Sequence, residues 1–473
     1  MRVHRPRWSP YRYTRWRWHV LFAVIDALGW TFFAAFHVLR TARRWRHRNA
    51  AEQPVRSILL VQLDHLGDAI LSLGLLRSIR ERYPQARLHV AASRRNEELF
   101  STCGLVDEVH LVPVTRFCRR GWRWIVEIVR WGWHLRRHRF DLAIDVRGDF
   151  PHAVLMWLAG ARRRIGWSCG GGGFLLTDRA AYVPGRHEVL SRAAVAERLG
   201  IDITVPPKPR LEISEAALDW ADAQLATLWP GHARANRAPL VALHIGAGTD
   251  AKRWPAEHWQ QLAELLMLEP TASVVLVGTH DDTDVARQIE DTALGPRRSC
   301  LNLVGRLSLS QLAAVLRRAD LFIGADSGPA HLAAAVGTPV IALFSGTNDP
   351  QQWRPWGTAV TVLRQAPHCS PCHREVCLWS DHPCMRGIAP EAVFHQAAEA
   401  LGSAPSRVRI AHQSCIKAPK GIDAIEKAPI GRRQGGRRFA SKTWWTMPTL
   451  RWVLATWMAS VAAIYLWNML AYR

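Results

Sequence analysis

The stretch LLVQLDHLGDAIL, residues 59–71, decides how the rest of the chain reads. An apolar run from Ser57 to Val61 leads into a turn with two carboxylates, a histidine and a single glycine. From Ala69 onward the apolar residues recur at helical spacing. A short apolar strand that turns straight into an amphipathic helix is the opening unit of a parallel α/β sheet. One glycine is too few for the G-x-G-x-x-G dinucleotide fingerprint. Asp68 then has two readings. It is either an N-cap for a helix starting at Ala69 or a working carboxylate at the carboxyl end of a strand.

The same rhythm continues outward. Strand-like runs at Ile58–Val61, Leu88–Ala92, Val109–Val112 and Leu142–Val146 alternate with helical patterns such as Ala69–Arg82 and Glu97–Cys103. After the proline-bearing stretch 230–239 a second series begins, with strands Leu240–His244, Val274–Val277, Leu321–Ile323 and Val340–Phe344. Helical patterns in this half fall at about 256–268, 283–293, 308–318 and 329–336. Two doubly wound halves, 56–230 and 238–400, predict a cleft between them. Ligands in such sheets sit beyond the carboxyl ends of the strands.

The formal net charge of +23 suggests nucleic acid until it is located. Residues 1–49 carry +10, residues 402–473 another +10, and 116–139 carry +7, so the rest of the chain is slightly acidic. That distribution excludes a general nucleic-acid-binding body and points to anionic membrane surfaces instead. Residues 452–471 (WVLATWMASVAAIYLWNMLA) hold no charge and are flanked by Arg451 and Arg473, which fits a transmembrane helix at 450–471 after a basic linker, 402–448. Residues 18–39 are apolar and aromatic but include Asp26, His19 and His37, so the segment 1–50 reads as membrane-associated, either spanning or lying in the interface. The Trp- and Arg-rich stretch 116–139 is either an interfacial helix or a crossover helix with a basic outer side.

Two glycine-bearing turns carry phosphate chemistry. His244-Ile245-Gly246-Ala247-Gly248 follows a strand, and Lys252 offers a point charge just before the next helix. Gly324-Ala325-Asp326-Ser327-Gly328-Pro329-Ala330-His331 joins a buried strand to a helix whose free N–H groups favour an anion, with Asp326 and Ser327 placed to cap it. The loop 346–350 (GTNDP) falls on the same sheet edge, and Gly170–Gly173 reads as a flexible loop. Cys369, Cys372, Cys377 and Cys384 have the spacing of a structural zinc site, with His368, His373 or His382 as substitutes and local disulfides as the alternative.

Together, LLVQLDHLGDAIL, HIGAGTDAKRWP, DSGPAHLAAAVGTPVIALF and CSPCHREVC resemble glycosyltransferase family 9, the lipopolysaccharide heptosyltransferases, over residues 57–400. The resemblance implies the GT-B fold: two Rossmann-like α/β domains facing a cleft, here with hydrophobic terminal appendages. It implies an acceptor-binding N-terminal half and a nucleotide-sugar-binding C-terminal half. Lys252, Asp326, Ser327, Gly328 and His331 match its donor-binding segment, with Gly246 and Gly248 in the adjoining turn and Asp282 the nearest match to the ribose-contacting acid.

Asp68 falls on the family's catalytic base. Acceptor-side candidates are Gln62, Asp64, His65, His187 and Glu188. At 62, 64 and 65 this chain departs from the basic and hydroxyl residues that the resemblance implies, and two consequences stand open: a changed acceptor choice, or Asp64 competing with Asp68 as base. The expected reaction is an inverting transfer, with heptose from ADP-heptose as the leading donor and a lipid-linked glycan as acceptor, at the cytoplasmic face of a bacterial inner membrane. No cofactor is expected for the chemistry. The competing readings are a non-catalytic sugar-nucleotide-binding relic and a transferase using another nucleotide sugar.

Overall fold

The structure, a computed structural model, describes residues 16–46, 54–113, 123–203, 205–229, 238–268, 272–292, 300–357 and 359–402. The linker expected at 402–448 and the hydrophobic stretch 450–471 fall outside the described residues, apart from Gly402.

The first series of apolar runs forms one parallel sheet. Helix α1 (Trp16–Arg46) precedes it. Then come β1 (Ser57–Gln62), α2 (Leu66–Leu71), α3 (Leu73–Arg82), β2 (Arg87–Ala92), α4 (Glu97–Thr102) and β3 (Glu108–Leu111). After α5 (Arg123–Leu135) the chain returns through β4 (Leu142–Asp145), α6 (Phe150–Leu158), β5 (Arg163–Gly166) and β6 (Asp178–Arg179). The order is β3-β2-β1-β4-β5-β6, so the winding reverses between β1 and β4. Helices α7 (Glu188–Glu197) and α8 (Glu215–Leu225) complete this part of the chain.

The second sheet repeats the plan. Its elements are β7 (Leu240–His244), α9 (Ala256–Leu268), β8 (Ser273–Val277), α10 (Thr283–Thr292), β9 (Cys300–Asn302), α11 (Leu309–Arg318) and β10 (Leu321–Ala325). Helix α12 (Gly328–Val336), β11 (Val340–Phe344), α13 (Pro350–Trp353), β12 (Val360–Arg364), α14 (Pro383–Arg386) and α15 (Pro390–Ala400) follow. The order β12-β11-β10-β7-β8-β9 reverses between β7 and β10. Strands β7, β8, β10 and β11 are buried throughout, as a sheet covered on both faces requires. Helix α8 precedes residue 230 in the chain, yet its Asp222 pairs with Arg318 of α11 at 2.7 Å.

Several expectations change. The helix predicted over Ala69–Arg82 is two helices. It starts three residues earlier, at Leu66, and breaks at Ser72, whose hydroxyl donates to the Asp68 carbonyl at 2.9 Å. Asp68 therefore lies inside the first turn and is not its N-cap; that position is His65, without a side-chain cap. Strands β5, β6, β9 and β12 were not anticipated. They are short or lie toward the sheet margins, where a strand lacks a continuous apolar run.

The N-terminal aromatic segment is helical but docked on protein. Leu21, Phe22, Ile25 and Phe33 of α1 are buried in the core that α5 and α6 also build. Phe22 lies 5.8 Å from the Phe150 ring, and Phe33 is edge-on to Trp157 at 6.0 Å. Asp26, which looked out of place in a membrane segment, accepts a 2.7 Å hydrogen bond from the Gly172 amide. Gly170–Gly173 is accordingly a buried seat for α1 and not a flexible loop, with Phe22 filling the space beside Gly171. No helix among the described residues is long and apolar enough to cross a membrane. The 116–139 stretch yields the crossover helix α5, packed on α6 through Gly132 against Leu158.

Candidate active site

Both winding reversals face the same place. The turns after β1 and β4 bring Asp64, Asp68 and Arg147 to the edge of the first sheet, and those after β7 and β10 bring Lys252, Asp326 and His331 to the edge of the second. The two edges meet at α2 and α12. A Cβ on Gly67 would lie 2.9 Å from Cδ2 of His331, and one on Gly328 would lie 3.1 Å from Leu66. The single glycine of the opening motif thus admits a histidine from the opposite half.

Asp68 is buried beside two arginines. Its Oδ1 accepts from Arg147 Nη1 and from Arg192 Nη2, each at 3.3 Å. Burial alone would raise this carboxyl, but Arg147 and Arg192, helped by His65 and His331, outweigh it and hold the group below the usual carboxylate range. Asp64 shares Arg147, whose Nε lies 3.3 Å from Oδ1. It has no second arginine, so burial and the neighbouring Asp68 charge push it up to about 6 against the pull of Arg147. Two carboxylates on one guanidinium are driven apart in acidity.

The turn after β4 aims Arg147 at this pair. The Asp145 carboxylate accepts from the Arg147 and Gly148 amides, both at 2.9 Å. It also meets His152 Nδ1 at 2.9 Å. Burial opposes the charge on His152, yet Asp145 carries it up to about 9, so the imidazole is cationic at neutral pH. Arg192 is fixed on its other side by the Glu188 carboxylate at 2.7 Å and by the Ser72 hydroxyl at 3.0 Å.

The remaining acceptor-side candidates divide. Gln62 is fully buried behind the α2–α3 break, accepting from Ser72 at 3.2 Å, so it does not face the cleft as expected. His65 is exposed, with Nδ1 3.9 Å from Asp68. His187 and Glu188 link the halves. His187 Nε2 meets the Arg354 carbonyl at 2.9 Å, and Glu188 accepts from Gln352 at 2.8 Å.

On the second half, Lys252 Nζ donates to the Asp326 carboxylate at 2.7 Å, and Asn348 donates to the same oxygen at 2.8 Å. Asp326 and Ser327 do not cap α12 with their side chains. Asp326 is occupied by Lys252 and Asn348, while Ser327 turns back to the Ala325 carbonyl at 3.1 Å. Gly328 opens the helix, and burial lowers the pKa of His331, keeping it neutral one turn in. Gly246 is needed because Asp282 fills the space where a Cβ would point; Gly248 borders open space. Asp282 is buried, accepting from the Thr279 amide and hydroxyl of its own turn at 2.9 Å and from Arg253 of the turn after β7 at 3.0 Å.

The cysteine loop buttresses this side. The amide of Cys372 donates to the Gly346 carbonyl at 2.8 Å, and that of Ala251 donates to the Glu375 carbonyl at 2.9 Å. Cys369, Cys372, Cys377 and Cys384 are free thiols. Their sulfurs are not drawn into a common ligand set: among the described residues, the donor group gathered within 4.8 Å lies elsewhere, around His89.

The profile of glycosyltransferase family 9 (heptosyltransferase) matches residues 128–381, more than half of the sequence. This chain belongs to glycosyltransferase family 9. Lipopolysaccharide heptosyltransferase 2 of Escherichia coli K12 is 28% identical over 318 residues, covering 65% of this chain and 87% of the relative. The solved structure of E. coli ADP-heptose lps heptosyltransferase II superposes with a TM-score of 0.58 at 26% identity, over 73% of this chain and 98% of that one. A family 9 structure from Veillonella parvula shares the fold with a TM-score of 0.62 at 22% identity, over 75% and 99%. The protein is therefore a glycosyltransferase of GT-B architecture, and the two six-stranded sheets are the family's two Rossmann-like layers.

The geometry adds Arg147, Arg192 and His152 to the residues gathered around the cleft, and singles out Asn348 within the 346–350 loop. Asp145-Val146-Arg147-Gly148-Asp149, a charged turn at the end of a strand, was the available signal for the first. Arg192 was detectable only as the i+4 partner of Glu188.

Proposed function

We propose that this glycosyltransferase moves heptose from ADP-heptose onto a lipopolysaccharide-core acceptor, a lipid-linked glycan, with inversion at the anomeric carbon. The observation that carries this reading is the meeting of Asp68 and His331 where α2 abuts α12. The names of the similar E. coli proteins supply the sugar and the acceptor class.

In this mechanism the acceptor hydroxyl oxygen attacks the anomeric carbon while its proton passes to the Asp68 carboxylate. The bond from that carbon to the diphosphate oxygen breaks, and its electrons leave with ADP. Lys252 and the first amides of α12 stabilise the charge that grows there. For Lys252 to serve the diphosphate it must be shared with Asp326, its 2.7 Å partner. Asn348, on the same carboxylate, keeps Asp326 from being left without a hydrogen bond.

On this reading the enzyme works at the cytoplasmic face of the inner membrane, where a nucleotide-sugar donor and a lipid-linked acceptor would meet. The exposed apolar row Val20, Val24, Leu28 and Phe32 on α1 is the surface that would touch lipid. A structural zinc on the four cysteines would have to draw their sulfurs together from their positions in this structure, and would then brace the loops that hold Lys252 and Asn348.

The test is a transfer assay with ADP-heptose and heptose-deficient lipopolysaccharide core. Product with inverted anomeric configuration is expected, and Asp68→Asn should lower turnover by roughly 100-fold or more. Turnover of another nucleotide sugar in preference to ADP-heptose would overturn the donor assignment.

A further inference from the structure

Away from the cleft, the first sheet gathers three histidines around one carboxylate. His89 of β2 pairs in register with Glu108 of β3. His110, two residues on, shares the Glu108 face of its strand. The turn that ends α5 adds His138 from the layer above. The rings stack closely, His89 on His110 at 5.3 Å and 7°, with His138 centred 4.6 Å and 4.9 Å from them. Phe140 closes one side, edge-on to His89 at 5.2 Å.

One ligand atom from each of the four residues lies within 4.8 Å of all the others. His89 Nδ1 is 3.1 Å from His110 Nε2 and 3.4 Å from Glu108 Oε2, and His138 Nε2 is 3.9 Å from Glu108 Oε1. Zinc–ligand bonds of about 2.0–2.1 Å set tetrahedral donors about 3.3 Å apart, a spacing these distances straddle. Side-chain exposure is 1% for His89, 5% for His110, 14% for His138 and 29% for Glu108, so an ion would enter past Glu108 and His138.

We propose that His89, Glu108, His110 and His138 form a binding site for one divalent transition-metal ion, with zinc the best match to three imidazoles and a carboxylate. The site is structural. It lies within the span of β2 and β3 and not in the turn that carries Asp68, and would tie edge strand β3 and its neighbour β2 to the turn that ends α5. Two cations compete for the ligands. Arg87 reaches Glu108 at 3.4 Å, and Arg137 donates to His138 Nε2 at 3.2 Å. Both arginines are exposed and can swing into water when an ion arrives.

The experiment uses the full-length chain, stripped with a chelator and titrated with Co²⁺, then with Zn²⁺. Nitrogen and oxygen ligation gives tetrahedral d–d absorption without a thiolate charge-transfer band, which separates this site from any ion on the four cysteines. His138→Ala and Glu108→Gln change the two least buried ligands, and their unliganded melting temperatures report whether each variant is folded. Each variant should lose the sulfur-free equivalent and weaken Zn²⁺ by more than the roughly 100-fold that outer-shell changes cost. Zn²⁺ should raise the melting temperature of the wild type through this site, and less in either variant. Absence of a sulfur-free equivalent in the wild type, or its persistence unchanged in both variants, would overturn the site.

Discussion

At the scale of single residues, the two carboxylates of the opening motif are set apart by their arginines. Asp68 has two and stays ionised to low pH, while Asp64 shares one and sits near 6. The acid limb of kcat/KM therefore identifies the base. With Asp68 in that role, activity persists down through pH 6 and fails only below the usual carboxylate range; a limb near 6 would hand the role to Asp64. Arg147→Gln removes a cation from both groups, so the limb should move upward and the rate at neutral pH should fall. That shift in the profile is the readout a merely structural arginine would not give. Gly67→Ala tests the meeting of the halves. A methyl 2.9 Å from Cδ2 of His331 should lower kcat/KM by about 10- to 100-fold with only a small fall in melting temperature, since it meets a side chain and not backbone. A large fall in melting temperature would instead make Gly67 a folding residue.

Among the elements, the turn after β4 does the most to shape the site. His152 is buried and cationic against Asp145, which in turn orients the Arg147 and Gly148 amides. A histidine raised to about 9 from an ordinary 6.5 lends stability that is complete below about pH 6.5 and disappears as pH rises through 9. Thermal melts from pH 6 to 10 should show that decline in the wild type and a flatter curve in His152→Gln. The variant should also be less stable at pH 6 by about 3 kcal/mol, because it leaves Asp145 charged and buried without its partner. A wild-type curve that matches the variant's would contradict the ion pair. This turn also marks how far sequence reading reaches. The buried strands β7 and β11 are legible to the residue because both faces are covered. Arg147 and Arg192 stand 79 and 124 residues from Asp68, and nothing local to any of the three signals their convergence. Nor does anything local to LDHLGDAIL signal that its glycine lies against His331 of the other half.

For the whole molecule, the sequence's aromatic N-terminal segment turns into part of the core of the first half. An amphipathic helix bound only to lipid leaves its apolar residues unpartnered in the protein, whereas α1 buries Leu21, Phe22, Ile25 and Phe33 and directs Val20, Val24, Leu28 and Phe32 outward. Hydrophobicity alone does not say which surface receives such a segment; Asp26, satisfied by the Gly172 amide, belongs to the side docked on protein, and the outer row stays exposed. The two faces of α1 predict separable effects. Phe22→Ala with Phe33→Ala removes rings seated against Phe150, Phe174 and Trp157, and should cost about 3 kcal/mol or more, with a lowered melting temperature and α1 released to proteolysis. Val24→Ser with Leu28→Ser alters side chains that are 43% and 48% exposed, so stability should change by less than about 0.5 kcal/mol. Flotation with anionic vesicles then reads the outer face alone: weaker binding by the second variant at unchanged stability is expected if this row meets lipid. If the inner-face variant keeps its melting temperature, α1 is not part of the folded core.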